Sequence, residues 1–250
     1  MITSETPSWN ALQYHQKRIS SLSIRSLFEQ DKKRFHQFSL LLPDLLVDFS
    51  KNRVTNETLA LLFQLAIKKG VEKSRDQMFQ GEKINKTENR SALHVALRQS
   101  NKNPQSMAVA KSLKQMDQFT QRIQKGNWKG ISGKKIEHIV NIGIGGSRLG
   151  PEMALKALET FHQFDLNIHF VSNLDGHDLQ RALNTLNPNT TLFIIASKTF
   201  STRETIKNAN SAKSWIIKHL GKLAVPMHFV AVSENILAPQ KLFRLPMFQT

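Results

Sequence analysis

TLFIIASKTFSTRET, residues 191–205, joins a run that must be buried to a run that must be wet. Leu192, Phe193, Ile194, Ile195 and Ala196 leave no polar face, the pattern of a strand covered on both sides. Ser197, Lys198, Thr199 and Phe200 form a loop. Ser201 and Glu204 then stand at capping-box spacing. Ile206, Ala209, Ala212, Ile216 and Leu220 recur at helical spacing. Hydroxyls, one ammonium and the free N–H groups of a helix start converge here, which is the chemistry of a phosphate or small-anion site. On these residues alone, a well-capped loop without a ligand stays open as the alternative.

Working outward, the same strand–loop–helix unit repeats. Ile136–Ile142 is a predicted strand, followed by the glycine run Gly143–Gly150, with Pro151 at the start of a helix reaching Phe161. A strand at Asn167–Val171, a helix at Asp178–Leu186 and a fourth strand at Pro226–Val232 complete the series. The predicted fold class is α/β, a parallel sheet sandwiched between helices. In such sheets ligands bind beyond the C-terminal strand ends, so the loops at 143–150 and 197–201 are expected to face one cleft.

Before residue 131 the pattern is mainly helical: Trp9–Phe38 loosely, then Thr55–Lys69, Val71–Phe79, Ser91–Arg98 and Ala108–Lys125. Thr55 can cap its helix and Gly70 sits where a C-cap glycine belongs. Phe38–Asp48 is strongly apolar, but Pro43 argues against one continuous helix.

With 250 residues the chain can form one large or two modest domains. It has no cysteine, which excludes disulfides and thiolate metal sites. The net charge of +16 is scattered and concentrated before Ile131, with Lys32–Arg34 the longest run. No nucleic-acid motif accompanies it, so it is assigned to a basic surface rather than to a nucleic-acid partner. No secretory signal and no apolar run of membrane length are present, and no membrane partner is expected.

Gly143-Ile144-Gly145-Gly146-Ser147 is the second candidate site. A dinucleotide fingerprint fails, because Arg148 falls where its third glycine is required. A nucleotide P-loop fails for want of a Gly-Lys-Ser/Thr ending. No His, Asp or Glu cluster has metal spacing.

Four blocks in order now carry a resemblance: DFSKNRVTNETLALLFQLA (48–66), MFQGEKINKTENRSALHVALR (78–98), NIGIGGSRLGP (141–151) and SKTFSTRET (197–205). Together they resemble the phosphoglucose isomerase (glucose-6-phosphate isomerase) family. The resemblance implies sugar-isomerase-type α/β domains. Residues 131–250 would be the first of these, apparently truncated, and 1–130 its helical surround, with a second such domain absent. It implies reversible conversion of glucose 6-phosphate to fructose 6-phosphate through an enediol, in glycolysis and gluconeogenesis, in the cytoplasm, without cofactor or metal, by a homodimer. Ser197, Lys198, Thr199 and Thr202 would hold the phosphate, and Gly146 and Ser147 would line the sugar. The family's catalytic Glu, His, Lys and Arg are expected beyond Thr250, so weak or no activity is expected of this chain alone. A non-catalytic sugar-phosphate-binding module is the alternative function.

Several positions depart from the family. Arg148 stands where an Asp is usual, Arg203 where Gln is common, and Asp175–Asp178 reads DGHD rather than DGTH. Leu242–Thr250 no longer resembles the family and suggests a shifted frame or a truncation. His94 is expected to be a packed or capping histidine, His169 and His228 structural residues within strands, and Glu204 a helix-capping one.

Overall fold

The computed structural model describes residues 6–98, 104–162, 165–235, 237–239 and 247–248. They fall into two compact units, Met1–Val95 and Ala96–Thr250.

The first unit holds α1 (Pro7–Ile19), α2 (Ile24–Gln30), α3 (Arg34–Gln37), β1 (Ser39–Leu42), β2 (Leu45–Asp48), α4 (Asn56–Lys68) and α5 (Val71–Phe79). The loose helical stretch expected at 9–38 is three helices, because Ser23 and its neighbours end one helix and cap the next. The apolar run 38–48 is an antiparallel hairpin turning at Pro43 and Asp44, with Leu40–Leu42 and Leu45–Val47 all exposed. Helix α4 begins at the predicted cap, where Thr55 and Thr58 satisfy each other's backbone N–H groups. It ends against Gly70, whose φ of 67° suits glycine. Helices α1 and α4 are tied by His15 Nε2 and Thr58 Oγ1 at 2.7 Å and by a two-pronged Arg18–Glu57 pair. Arg34 is buried and donates to the carbonyls of Ser50, Asn52 and Val54 at 2.8–3.0 Å, with Phe38 packed on its guanidinium. Ser91–Arg98 is not the expected helix. Only a 3₁₀ turn at Ala96–Arg98 forms, and this lies in the second unit.

The second unit holds α6 (Pro104–Gln124), β3 (His138–Ile142), α7 (Gly146–Ala157), β4 (Asn167–Val171), α8 (Gly176–Leu183), β5 (Thr191–Ala196), α9 (Arg203–Leu220), α10 (Val225–His228), β6 (Phe229–Val232) and β7 (Met247–Phe248). The sheet is parallel, in the order β4-β3-β5-β6-β7. The chain steps one way from β3 to β4, then returns past β3 to β5. Right-handed crossovers therefore put α7 on one face and α8 and α9 on the other. Under α8 and α9 lie Val140, Ile142, Val171, Phe193, Ile195 and Phe229, all fully buried. The alternate residues, among them Ile139, Leu192, Ile194 and Val230, meet Phe119, Ile123 and Trp128 on the opposite face.

Two expectations are corrected here. Pro226 does not open a strand: Val225–His228 is a helical turn, and β6 starts at Phe229. This places His228 against β5, where Nδ1 donates to the Thr191 carbonyl at 2.7 Å and Nε2 accepts from the Ile131 N–H at 3.1 Å. Helix α7 starts at Gly146, not Pro151, which sits inside it. Pro151 has no N–H for the Ser147 carbonyl one turn back. Asn141 Nδ2, reaching from β3, donates to that carbonyl instead at 3.0 Å. Most of the divergent tail at 242–250 lies outside the described residues.

Candidate active site at the switch point of the sheet

The strand order reverses between β3 and β5, and the loops that leave these two strands flank the crevice a parallel sheet opens at such a point. The register sets Ile142 opposite Ile195, so the loops begin level with each other. Their backbones nearly touch. A Cβ on Gly143 would lie 2.8 Å from the Ser147 side chain, 2.9 Å from its carbonyl oxygen and 3.1 Å from the carbonyl of Ala196. Only glycine allows that approach, and Gly145 (φ 56°, ψ −123°) adopts a turn closed to other residues. Gly146 and Ser147 open helix α7 directly behind this turn.

The loop after β5 packs its hydroxyls in pairs. Thr199 Oγ1 is 2.6 Å from Ser201 Oγ, and Ser197 Oγ is 3.4 Å from Thr202 Oγ1. Ser197 is buried, Thr202 half-buried, and Lys198 and Thr199 exposed. The predicted capping box is not formed: Thr202, not Ser201, is the N-cap of α9, and no side chain caps it. Ser201 is instead engaged with Thr199. The first intrahelical bond is donated by Ile206 to Thr202, so the N–H groups of residues 203–205 precede the ladder and aim out of the helix start. Glu204 lies in that first turn, where a carboxylate complements the helix dipole. Phe200 takes a left-handed φ of 54° with its ring buried in the core, which pins the loop from below. From above, Ser233 Oγ donates to the Lys198 carbonyl at 3.0 Å, and Asn235 Nδ2 donates to that of Thr199 at 3.3 Å. The loop is therefore fixed in shape, while in each hydroxyl pair one O–H donates to its neighbour and the other can turn toward an acceptor.

Open space also lies elsewhere among the described residues. Two adjoining grooves lie on the other sheet face, one of about 460 Å³ between α6 and α7, lined by residues such as Phe119, Ile139 and Leu155, and one of about 480 Å³ between α7 and the sheet, lined by residues such as Ala154, Ile168 and Phe170. Their walls are almost wholly apolar, so they lack the convergent polar groups that the switch-point loops supply.

Residues 48–243 match the family model of phosphoglucose isomerase. The chain belongs to the phosphoglucose isomerase family. It is 46% identical over 241 residues to a glucose-6-phosphate isomerase of Methylococcus capsulatus, covering 93% of this chain and 44% of that protein. It is 48% identical over 241 residues to the glucose-6-phosphate isomerase of Buchnera aphidicola subsp. Schizaphis graminum, covering 93% and 43%. The chain thus spans less than half the length of these relatives. A solved glucose-6-phosphate isomerase from Chlamydia trachomatis has the same fold, with a TM-score of 0.74 at 24% identity over all of this chain and 48% of that one.

Within this member of the family, the six residues singled out from the sequence fall into two clusters on facing loops, Gly146 with Ser147, and Ser197, Lys198, Thr199 with Thr202. Arg148 is neutralised in place: Nε donates to Glu152 Oε2 at 2.9 Å and Nη1 to Ser172 Oγ. Lys156 and Arg148 together hold the Glu152 carboxyl below its ordinary range, Lys156 contributing most. In the DGHD segment Asp175 caps α8, accepting from the His177 N–H and standing 2.8 Å from its ring, and these bonds hold its carboxyl low. Asp178 Oδ2 accepts from the N–H groups of Ser172 and Asn173, both at 3.0 Å.

His169 and His228 hold packing positions. Burial, then the neighbouring His138 ring at 3.3 Å, pushes the His169 imidazole below its usual value. Burial does the same for His228, against the opposing Thr191 bond. His94 is exposed, on a segment that is not helical. Among the described residues no group of three or more His, Asp or Glu is placed to hold a metal, and no helix is long and apolar enough to cross a membrane.

The sequence reading missed Asn208. It is buried in α9 and donates to the Asn173 carbonyl at 2.8 Å. The signal was present: Thr205 and Asn208 fall on the same helical stripe as Ala209, Ala212 and Ile216. A polar residue on a buried stripe must have a specific partner.

Proposed function

We propose that this chain supplies the sugar-phosphate-binding part of a glucose-6-phosphate isomerase, which interconverts glucose 6-phosphate and fructose 6-phosphate through an enediol in glycolysis and gluconeogenesis. In this reading residues 131–250 are the first sugar-isomerase-type domain and residues 1–130 its helical surround. The observation that carries it is the pairing of the hydroxyl loop at an uncapped helix start with the glycine turn, face to face at the switch point. The phosphate accepts from Ser197, Thr199 and Thr202 and from the first N–H groups of α9, with Lys198 adding charge. The sugar lies toward Gly146 and Ser147, where the backbone can come close. Anchoring the phosphate positions a small flexible sugar against the acid and base groups that open the ring and move the proton between C2 and C1. The shared name of the two relatives supports the reaction; the share of their length that this chain spans makes it a property of the larger polypeptide. The enzyme is a cytoplasmic homodimer in this reading.

Titration calorimetry with fructose 6-phosphate tests the binding. The purified chain binds it, and the Ser197→Ala/Thr199→Ala/Thr202→Ala triple variant does not. Equal binding by the two proteins overturns the assignment. A coupled assay on the same sample separates an isomerase from a module that binds without turnover.

A further inference from the structure

Three helices that leave the crevice converge on one dipeptide, Ser172-Asn173, just after β4. Arg148, in the first turn of α7 and next in sequence to Ser147, donates to Ser172 Oγ. Asp178 of α8 receives both backbone N–H groups of the dipeptide. Asn208, in the second turn of α9, donates to the Asn173 carbonyl. Helix α7 continues rigidly from the glycine turn, and α9 from the hydroxyl loop. A continuous hydrogen-bonded path thus runs from one half of the site to the other through a segment that belongs to neither.

We propose that Arg148, Asp178 and Asn208 are positioning residues that use Ser172-Asn173 as a spacer, setting the distance between the glycine turn and the hydroxyl loop. The proposal rests on the functional reading above and adds to it. A ligand held by the hydroxyl loop alone is indifferent to the spacer, whereas a sugar phosphate that must reach both loops is measured by it. Asn208 is the firmest link, being almost fully buried with its amide committed. Arg148 is the most exposed link, being only half-buried and shared between Ser172 and Glu152.

The test compares two probes, inorganic phosphate and fructose 6-phosphate, by calorimetry on the full chain. Asn208→Ala and Ser172→Ala are expected to weaken fructose 6-phosphate about ten-fold while leaving inorganic phosphate within about two-fold. Asp178→Asn keeps one acceptor oxygen and is expected to retain the wild-type ratio of the two affinities. A role in stability alone moves the melting temperature and leaves that ratio unchanged; an unchanged ratio in both alanine variants overturns the proposal. Should Asn208→Ala fail to fold, the milder Ser172→Ala decides the question. Wild-type protein that binds fructose 6-phosphate no better than phosphate refutes the functional reading itself, a separate outcome.

Discussion

Replacing Asn141 by Leu removes the side-chain donor that stands in for the missing N–H of Pro151 at the Ser147 carbonyl. The side chain is buried; Leu keeps its branched shape but is bulkier, and the resulting packing cost is common to both backgrounds of the comparison below. Two costs remain. One hydrogen bond is lost, net about 0.5–1.5 kcal/mol, and a half-buried carbonyl is left unpaired, at the low end of about 1–3 kcal/mol. The sum is about 2 kcal/mol, or a fall of about 4–8 °C in melting temperature for a chain of this size. A second substitution isolates the bond itself. Pro151→Ala restores an N–H four residues beyond Ser147, which closes the helical bond to the same carbonyl. In that background Asn141→Leu should cost less than about 1 kcal/mol, a coupling of about 1 kcal/mol between the two sites. Urea denaturation of the four proteins measures the cycle. Equal costs of Asn141→Leu with Pro151 and with Ala at that position would refute the account of how a proline is carried inside α7.

Other consequences are equally open to measurement. Arg34→Met breaks three charge-assisted bonds to the 50–54 backbone and should destabilise the first unit by about 3–5 kcal/mol; amide exchange at residues 50–54 that stays slow would contradict this. Gly143→Ala drives a methyl into Ser147 and the Ala196 carbonyl, and should cost about 1–3 kcal/mol together with fructose 6-phosphate binding, by melting and calorimetry. His169 and His228 both have folded-state values below the ordinary 6.5, so the unfolded chain takes up protons first as pH falls. Stability is therefore full above that pH and declines below it. His228→Gln should lower the melting temperature at pH 8 yet flatten its fall between pH 7 and 5. The lowered carboxyls of Asp48, Glu152 and Asp175 act in a separate window, losing their contribution only as pH drops below about 4.5.

Where local chemistry settles the outcome, the sequence was enough. Thr55 and Gly70 bracket α4 to the residue, and the unbroken apolar run Leu192–Ala196 could only be an interior parallel strand. The placement of both candidate loops was legible for the same reason, since glycine and hydroxyl clusters after buried strands are local patterns. The errors occur where a distant residue overrides a local signal. Pro151 looks like a helix start until Asn141, ten positions earlier on a strand, takes over its lost bond. Ser201 and Glu204 have capping spacing, but Thr199 engages Ser201 and the helix begins one residue later. Pro226 lies in an apolar run fit for a strand, yet His228 bonding to Thr191 draws the segment into a helical turn. The meeting of Arg148, Asp178 and Asn208 at one dipeptide joins positions up to 60 apart, which no periodicity announces.

The parallel register has a consequence for how such a crevice tolerates change. Ladder bonds run on past the strand ends, from the Gly143 N–H to Val171 and from the Ser197 N–H to Val232, so main-chain spacing serves as the gauge for the mouth of the site. Exposed side chains near its lip that take no part in the Ser172-Asn173 contacts, Arg203 among them, can drift without altering that gauge. A slip of one residue would turn Val140 and Ile142 out of their core, so the width of the opening is guarded by the most deeply buried residues rather than by those that meet the ligand.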